Sequence, residues 1–214
     1  MPLPLTPRKA PRQARSLATY DAILEAATHI IGRGGLAAYN TNTVAHRAGV
    51  SIGSLYQYFP NKDALMVALI HQQQRRQLAN VQAALANLAD ADFETAVRTL
   101  VRAAMQHHRD DMLFATALDH EEARLPLSDM LSDYLDQGGG ALAPLFLRYH
   151  DQMGSVDPAR AMRTIPALVK AAVDCWANNS PPALNTAEDE AVRAVLGYLY
   201  GSTGAKPSEN ATVG

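Results

Sequence analysis

Apolar residues recur every three or four positions along most of the chain, the spacing of helices that bury one face, and no strand-length alternation interrupts them. A first helix is predicted over 14–33, with Ile23, Leu24, Ala27, Ile30 and Ile31 on its buried side. The "GRGG" that follows ends it, Gly34 or Gly35 supplying the left-handed stop. A short helix starts after Asn40 or Thr41 and ends at Gly49. Another covers 52–58 with Ser51 as its cap. Pro60 stops that one, and Asn61 caps a longer helix whose Leu65, Leu69, Leu78, Val81, Leu85 and Leu88 continue the pattern.

The remainder reads as helix too. Phe93, Val97, Leu100, Val101, Ala104 and Met105 share one face of a run drawn through 91–111, and "MLFATALDHEEARL" follows it. A helix from Ser128 meets "GGG" at 138–140, where a kink or a split is expected. Asp157 and Pro158 are a cap and a first-turn proline for a helix that bends at Pro166 and reaches about residue 178. After the loop "NNSPP", Thr186 caps a last helix with acids in its first turn, a stripe of Val192, Val195, Leu196 and Leu199, and Gly201 as its stop. There is no internal repeat, and the fold class expected is all-α.

Composition narrows the class. Hydrophobic residues make up 48% of the 214, enough for a sizeable core, yet aromatics are only 6%, as suits helices better than sheets. No apolar run approaches the roughly 18 residues that span a bilayer, so no membrane partner is expected. The opening "MPLPLTPRKAPRQAR" is proline-rich and lacks the apolar centre of a signal peptide. A lone Cys175, read as a small buried hydrophobe beside Trp176, rules out an internal disulfide and fits a reducing cytoplasm.

Charge changes the picture more. The net charge of −2 argues against a nucleic-acid binder, but the distribution does not. Through Lys62 there are seven positive side chains and two negative ones; the rest of the chain carries twelve and nineteen. A basic head on an acidic body is the asymmetry of a DNA-binding domain joined to a second function.

The stretch "TVAHRAGVSIGSLYQYFPNKDAL" says how the head works. Ala45, Ala48 and Gly49 are small where two helices cross closely, Gly49 accepts a positive φ, and Val50 plugs the turn. Val44, Leu55 and Phe59 fill the core beneath. This is helix-turn-helix chemistry, which offers the N-terminal side chains of a second helix to a major groove. Ile52, Gly53, Ser54 and Gln57 are left facing outward. Lys62 sits in the first turn of the next helix, where a cation opposes the helix dipole by up to about 1 kcal/mol unless a phosphate is also present. Tyr56 and Tyr58 flank the recognition helix with hydroxyls suited to backbone phosphates.

At Val44-Ala45, Ala48-Gly49-Val50-Ser51, Gly53, Leu55-Tyr56, Tyr58-Phe59, Lys62 and Leu65 the chain resembles the tetracycline-repressor (TetR) family of bacterial one-component regulators. With the first helix, the resemblance covers roughly 15–69. It implies a homodimer on a palindromic double-stranded operator, with Thr41, Ser54, Tyr56, Tyr58 and Lys62 contacting DNA. The full set expected at the interface is Thr41, Asn42, Thr43, Ser51, Ile52, Gly53, Ser54, Tyr56, Gln57, Tyr58 and Lys62. Asn40 stands where threonine or serine is usual in the family, and Thr43 where a charge is common.

The expected organisation is a flexible basic arm over 1–12 and a three-helix DNA-binding domain over 13–66. A helical ligand-binding and dimerisation domain follows over 67–203, then a disordered tail over 204–214. In the body, Met105, Met112, Phe114, Leu118, Phe146 and Trp176 are candidates to line a hydrophobic ligand pocket. Ile165, Val169 and Val173 on one helix, with Val192, Val195, Leu196 and Leu199 on the next, are candidates for half of an intermolecular four-helix bundle. The function expected is a cytoplasmic, nucleoid-associated regulator, commonly a repressor, released by an unidentified small hydrophobic inducer.

Two alternatives stay open. His107, His108, Asp111, His120, Glu121 and Glu122 gather potential metal ligands, His107 and Asp111 at an i, i+4 spacing, so a metal-responsive regulator is one of them. A DNA-binding protein that senses nothing is the other. No metal site or cofactor is assigned from the sequence. No nucleophile elbow, phosphate loop or zinc-protease motif is present, so an enzyme is not expected.

Overall fold

The computed structural model describes residues 5, 14–177 and 184–201. The tail expected to be disordered, the "NNSPP" segment and, apart from residue 5, the basic arm lie outside the described residues. Among those described there are α-helices and one 3-10 turn but no strand, as the periodicity requires.

The chain forms two compact units. The first holds the chain up to Arg76 together with His107–Ser128. It comprises α1 (Ala14–Ala38), α2 (Thr41–Arg47), α3 (Ile52–Tyr58), the first part of α4 (Lys62–Leu85), nearly all of α6 (Gln106–Asp110) and α7 (Met112–Arg124). Ile23, Ile31, Val44, Leu55, Phe59 and Leu65 are fully buried in it. Burying a side chain of this size contributes about 1.5–3 kcal/mol, which is what holds such short helices in place. Gly35 breaks the end of α1 with φ 61°, in the left-handed region, as the "GRGG" pattern predicts.

The second unit takes the remainder of α4, then α5 (Phe93–Ala104), α8 (Ser128–Arg148), α9 (Pro158–Ala177) and α10 (Leu184–Tyr200). α10 packs against both α5 and α9. Phe93, Val97, Val101, Met105, Val173, Val192, Val195 and Leu199 are among the residues of its core.

α7 packs on α1, so residues 107–128 belong to the same compact unit as α1–α3. Several expectations are corrected. The helical run from Phe93 does not continue through Asp111. That residue adopts extended backbone, and its carboxylate accepts the Phe114 N–H at 2.9 Å, so it starts α7 instead. α8 passes through 138–140 without a split. Each glycine weakens a helix by about 1 kcal/mol relative to alanine, so flanking turns and packing, such as Gly139 against Met162, carry the segment. Thr186 does not cap α10, which already begins at Leu184. Cys175 is exposed rather than buried.

The largest correction concerns the dimer face. Val169, Val173, Val192, Val195 and Leu199 are buried by their own chain, the last four to 3% exposure or less. A side chain already covered has no apolar surface left for a partner, so these five positions form core. Ile165 and Leu196 pack partly buried at the edge of the same core.

Candidate nucleic-acid interface

Three asparagine and serine side chains build the head. Asn40 caps α2, its Oδ1 accepting the Thr43 N–H at 2.9 Å, which decides between Asn40 and Thr41. Ser51 caps α3, its Oγ accepting the Ser54 N–H at 3.0 Å. Asn61 Oδ1 accepts the Ala64 N–H at 2.7 Å and starts α4. Such a cap stabilises a helix by about 0.5–2 kcal/mol, a large share for helices of two turns. Between α2 and α3, Gly49 has φ 68°, and the Val50 N–H donates to the Ala45 carbonyl at 3.0 Å. The turn is therefore tight, and Val44, Leu55 and Phe59 lie beneath it at 0% exposure.

On the outer side, Asn42, Thr43, Ser51, Ile52, Gly53, Tyr56, Gln57 and Lys62 are exposed, while Thr41, Ser54 and Tyr58 are partly so. Nothing but the Ser51 hydroxyl, at 3.9 Å, approaches the place where a Cβ on Gly53 would be, so backbone is open to a ligand there. The Ser51 and Ser54 hydroxyls lie 2.8 Å apart and the Thr41 and Tyr56 hydroxyls 3.1 Å apart. These pairs preset four hydroxyls, those of Ser54 and Tyr56 on α3, of its cap Ser51 and of Thr41 on α2. Tyr58 is steadied from behind by the edge of Tyr20, with ring centroids 6.2 Å apart.

Tyr39, which sequence reasoning overlooked, organises the basic end. It is buried to 2% exposure, its hydroxyl donates to the Lys62 carbonyl at 2.9 Å, and Lys62 Nζ lies 4.8 Å from its ring centroid. Burial, reinforced by Asp63 and Glu121, pushes the phenol well above its ordinary range, so it remains a proton donor. The only signal in the sequence is an aromatic residue just before a cap. Arg124 at the end of α7 reaches Asp63 at 2.6 Å and also pairs with Glu121.

The ligand candidates are divided between the units. Met112, Phe114 and Leu118 belong to the first, with Phe114 and Leu118 buried. Met105 and Phe146 belong to the second, where Met105 is fully buried and Phe146 packs at the core's edge. The Trp176 side chain lies outside the described residues. Of the acidic groups near the histidines, Asp111 is committed to its cap, Glu121 to Arg124, and Glu122 accepts from Gln74 Nε2 at 2.9 Å.

Comparison with known proteins accords with this geometry. Residues 23–69 match the family described as bacterial regulatory proteins, tetR family, and residues 92–199 match the tetracyclin repressor-like C-terminal domain. The HTH-type transcriptional repressor KstR of Mycolicibacterium smegmatis is 42% identical over 54 residues, 25% of this chain and 26% of that protein. The fatty acid metabolism regulator protein of Bacillus subtilis is 22% identical over 116 residues, 54% of this chain and 60% of that one. The matched stretches thus span between a quarter and three-fifths of these relatives' lengths. The crystal structure of the transcriptional regulator FadR from Bacillus subtilis in complex with stearoyl-CoA shares the fold, with a TM-score of 0.67 and 19% identity over 83% of this chain and 97% of that one. With both of its halves matched, the chain belongs to the TetR family of bacterial transcriptional regulators, whose members are not enzymes.

Proposed function

We propose that the chain is a homodimeric repressor that occupies a palindromic operator and leaves it on binding a small hydrophobic molecule. The observation that carries the DNA half is α3, whose exposed Ile52, Gly53 and Gln57 accompany preset hydroxyls, together with the exposed Lys62 at the start of α4. Base edges would be read by Ser54 and Gln57, with close backbone approach at Gly53. Thr41, Tyr56, Tyr58 and Lys62 would hold phosphates, with Asn42, Thr43 and Ser51 at the margin. The site of action would be the nucleoid in the cytoplasm.

For the dimer, the sides of α9 and α10 turned away from the core support the reading. Ala167 and Ala171 on α9 and Ala194 and Gly197 on α10 are exposed and small, which permits close helix approach between two copies. For the ligand, the support is the second unit's methionine and aromatic content and the stearoyl-CoA bound by the Bacillus subtilis relative. Long-chain acyl-CoA esters are therefore the first probes.

The experiment is selection of binding sites from random double-stranded DNA, followed by fluorescence anisotropy at fixed salt. Enrichment of an inverted repeat with half-sites about one helical turn apart or somewhat more is expected. Release by long-chain acyl-CoA, and not by coenzyme A alone, is the expected second result. Binding with no sequence preference would sink the operator reading, and release by none of a broad hydrophobic panel would sink the ligand reading.

A further inference from the structure

A second cluster lies on α6 and α7, in the same unit as α2 and α3. His107 and His108 occupy the start of α6, and Asp119 lies two turns into α7. One potential ligand atom from each residue lies within 4.8 Å of the others. The two imidazole centroids are 3.9 Å apart with the rings tilted by 51°. His108 Nε2 is 3.0 Å from Asp119 Oδ2.

We propose that His107, His108 and Asp119 form a binding site for one divalent transition-metal ion of the zinc, nickel or cobalt class. Two imidazoles and one carboxylate are a donor set these ions favour over magnesium or calcium, which prefer all-oxygen shells. With bonds of about 2.0–2.1 Å, the donors of a tetrahedral site stand about 3.3 Å apart. The His108–Asp119 pair is already near that spacing, and the His107 ligand atom, within 4.8 Å of both, would have to move closer on binding. Three protein ligands leave a fourth position for water, as in open rather than purely structural zinc sites.

A plain His108–Asp119 ion pair is the competing explanation, and titration with metal distinguishes the two. His108 is 6% exposed, and its Nδ1 is buried with no hydrogen-bond partner among the described residues. Only the tautomer protonated at Nε2 can donate to the Asp119 carboxylate, and it leaves Nδ1 as a buried acceptor without a partner among the described residues. The neighbouring acids do not compete for the ion: Asp111 is held as a helix cap, and Glu121 is paired with Arg124. An ion here would tie α6 to α7, and α7 packs on α1 of the DNA-binding unit.

This inference does not rest on the hydrophobic-ligand reading, and its test is independent of DNA and of acyl-CoA. The full chain, stripped with a chelator and exchanged into metal-free buffer, is titrated with cobalt(II) and, in competition with a chromophoric chelator, with zinc(II). One equivalent per chain is expected, with the visible bands of four-coordinate cobalt bound by nitrogen and oxygen. His107→Ala and Asp119→Asn should each weaken zinc binding at least about tenfold, the usual penalty for a lost ligand or its orienting partner. His120→Ala should leave it unchanged. Circular dichroism and the melting temperature of each metal-free variant establish that it is folded, and zinc should raise the melting temperature of the parent more than that of either weakened variant. Absence of stoichiometric binding, or binding that survives both His107→Ala and Asp119→Asn, overturns the site.

Discussion

Tyr39 holds Lys62 from two directions, donating a 2.9 Å hydrogen bond to its carbonyl and placing a ring 4.8 Å from its Nζ. The buried phenol thus fixes both the first residue of α4 and the direction of its cation. Replacing Lys62 by Ala should weaken binding to all DNA sequences alike and lower the salt slope by about one phosphate contact. Tyr39→Phe keeps the ring and the charge. It should cost about 1 kcal/mol of stability for the lost hydrogen bond, with the salt slope retained. Anisotropy titrations at several salt concentrations separate the two. An unaltered slope in Lys62→Ala would remove Lys62 from the interface.

Asn40 is the cap on which α2 depends. Asn40→Ala should cost about 0.5–2 kcal/mol, and Asn40→Asp, which keeps the acceptor, much less. Chemical denaturation of the three proteins measures this directly. Equal midpoints for Ala and Asp would mean that Thr41 or water replaces the cap.

The head was legible because its determinants are local. Asn40, Ser51 and Asn61 each cap a helix within three residues, and Gly35 and Gly49 take the positive φ that their positions demand. The body was legible only as helices. A stripe such as Val192, Val195 and Leu199 shows which side of α10 is covered, but the same stripe suits a partner chain or the chain's own α5 and α9. Asp119 escaped notice because it meets His108 across eleven residues and a helix break at Asp111, which helical spacing alone does not bridge.

That distinction can be tested at Val195. As a core residue with 2% exposure, its replacement by Glu buries an unpaired charge and should unfold the chain, not release folded monomers. Ala194→Arg, on the exposed side, should instead leave the second unit folded and weaken self-association. Light scattering with circular dichroism reads both outcomes. A folded monomer from Val195→Glu would restore the stripe as an interface.

Asp92 gives a pH signature for α5. Its carboxylate accepts the Thr95 N–H and hydroxyl, each at 2.8 Å, and these bonds hold its pKa below the ordinary value. A carboxylate with a depressed folded pKa contributes stability that is fully present above its unfolded value, near 4. That contribution is lost as pH falls through the folded value. Asp92→Ala should therefore be less stable than the parent at neutral pH, with the difference closing under acid conditions below about pH 4. A difference that persists unchanged at pH 2 would assign the cost to something other than the charged cap.

Arg124 is where α7 meets the start of α4. It pairs with Glu121 on its own helix and with Asp63, the residue after Lys62. The Arg124 side chain is 44% exposed, so solvent screens its charge, whereas Glu121 is 11% exposed and depends on the pair. Arg124→Met keeps much of the aliphatic packing but leaves Glu121 and Asp63 without their shared cation. After discounting for exposure, the loss should be about 1–2 kcal/mol, below the 3–5 of a fully buried pair. If the unpaired carboxylate is the cause, adding Glu121→Gln should recover part of that loss, because a neutral amide carries a smaller desolvation cost. The double-mutant cycle measured by urea denaturation gives the coupling directly. Additive effects of the two substitutions would show that Arg124 acts through packing alone, and that the ion pair contributes nothing to joining α7 to the helix bearing Lys62.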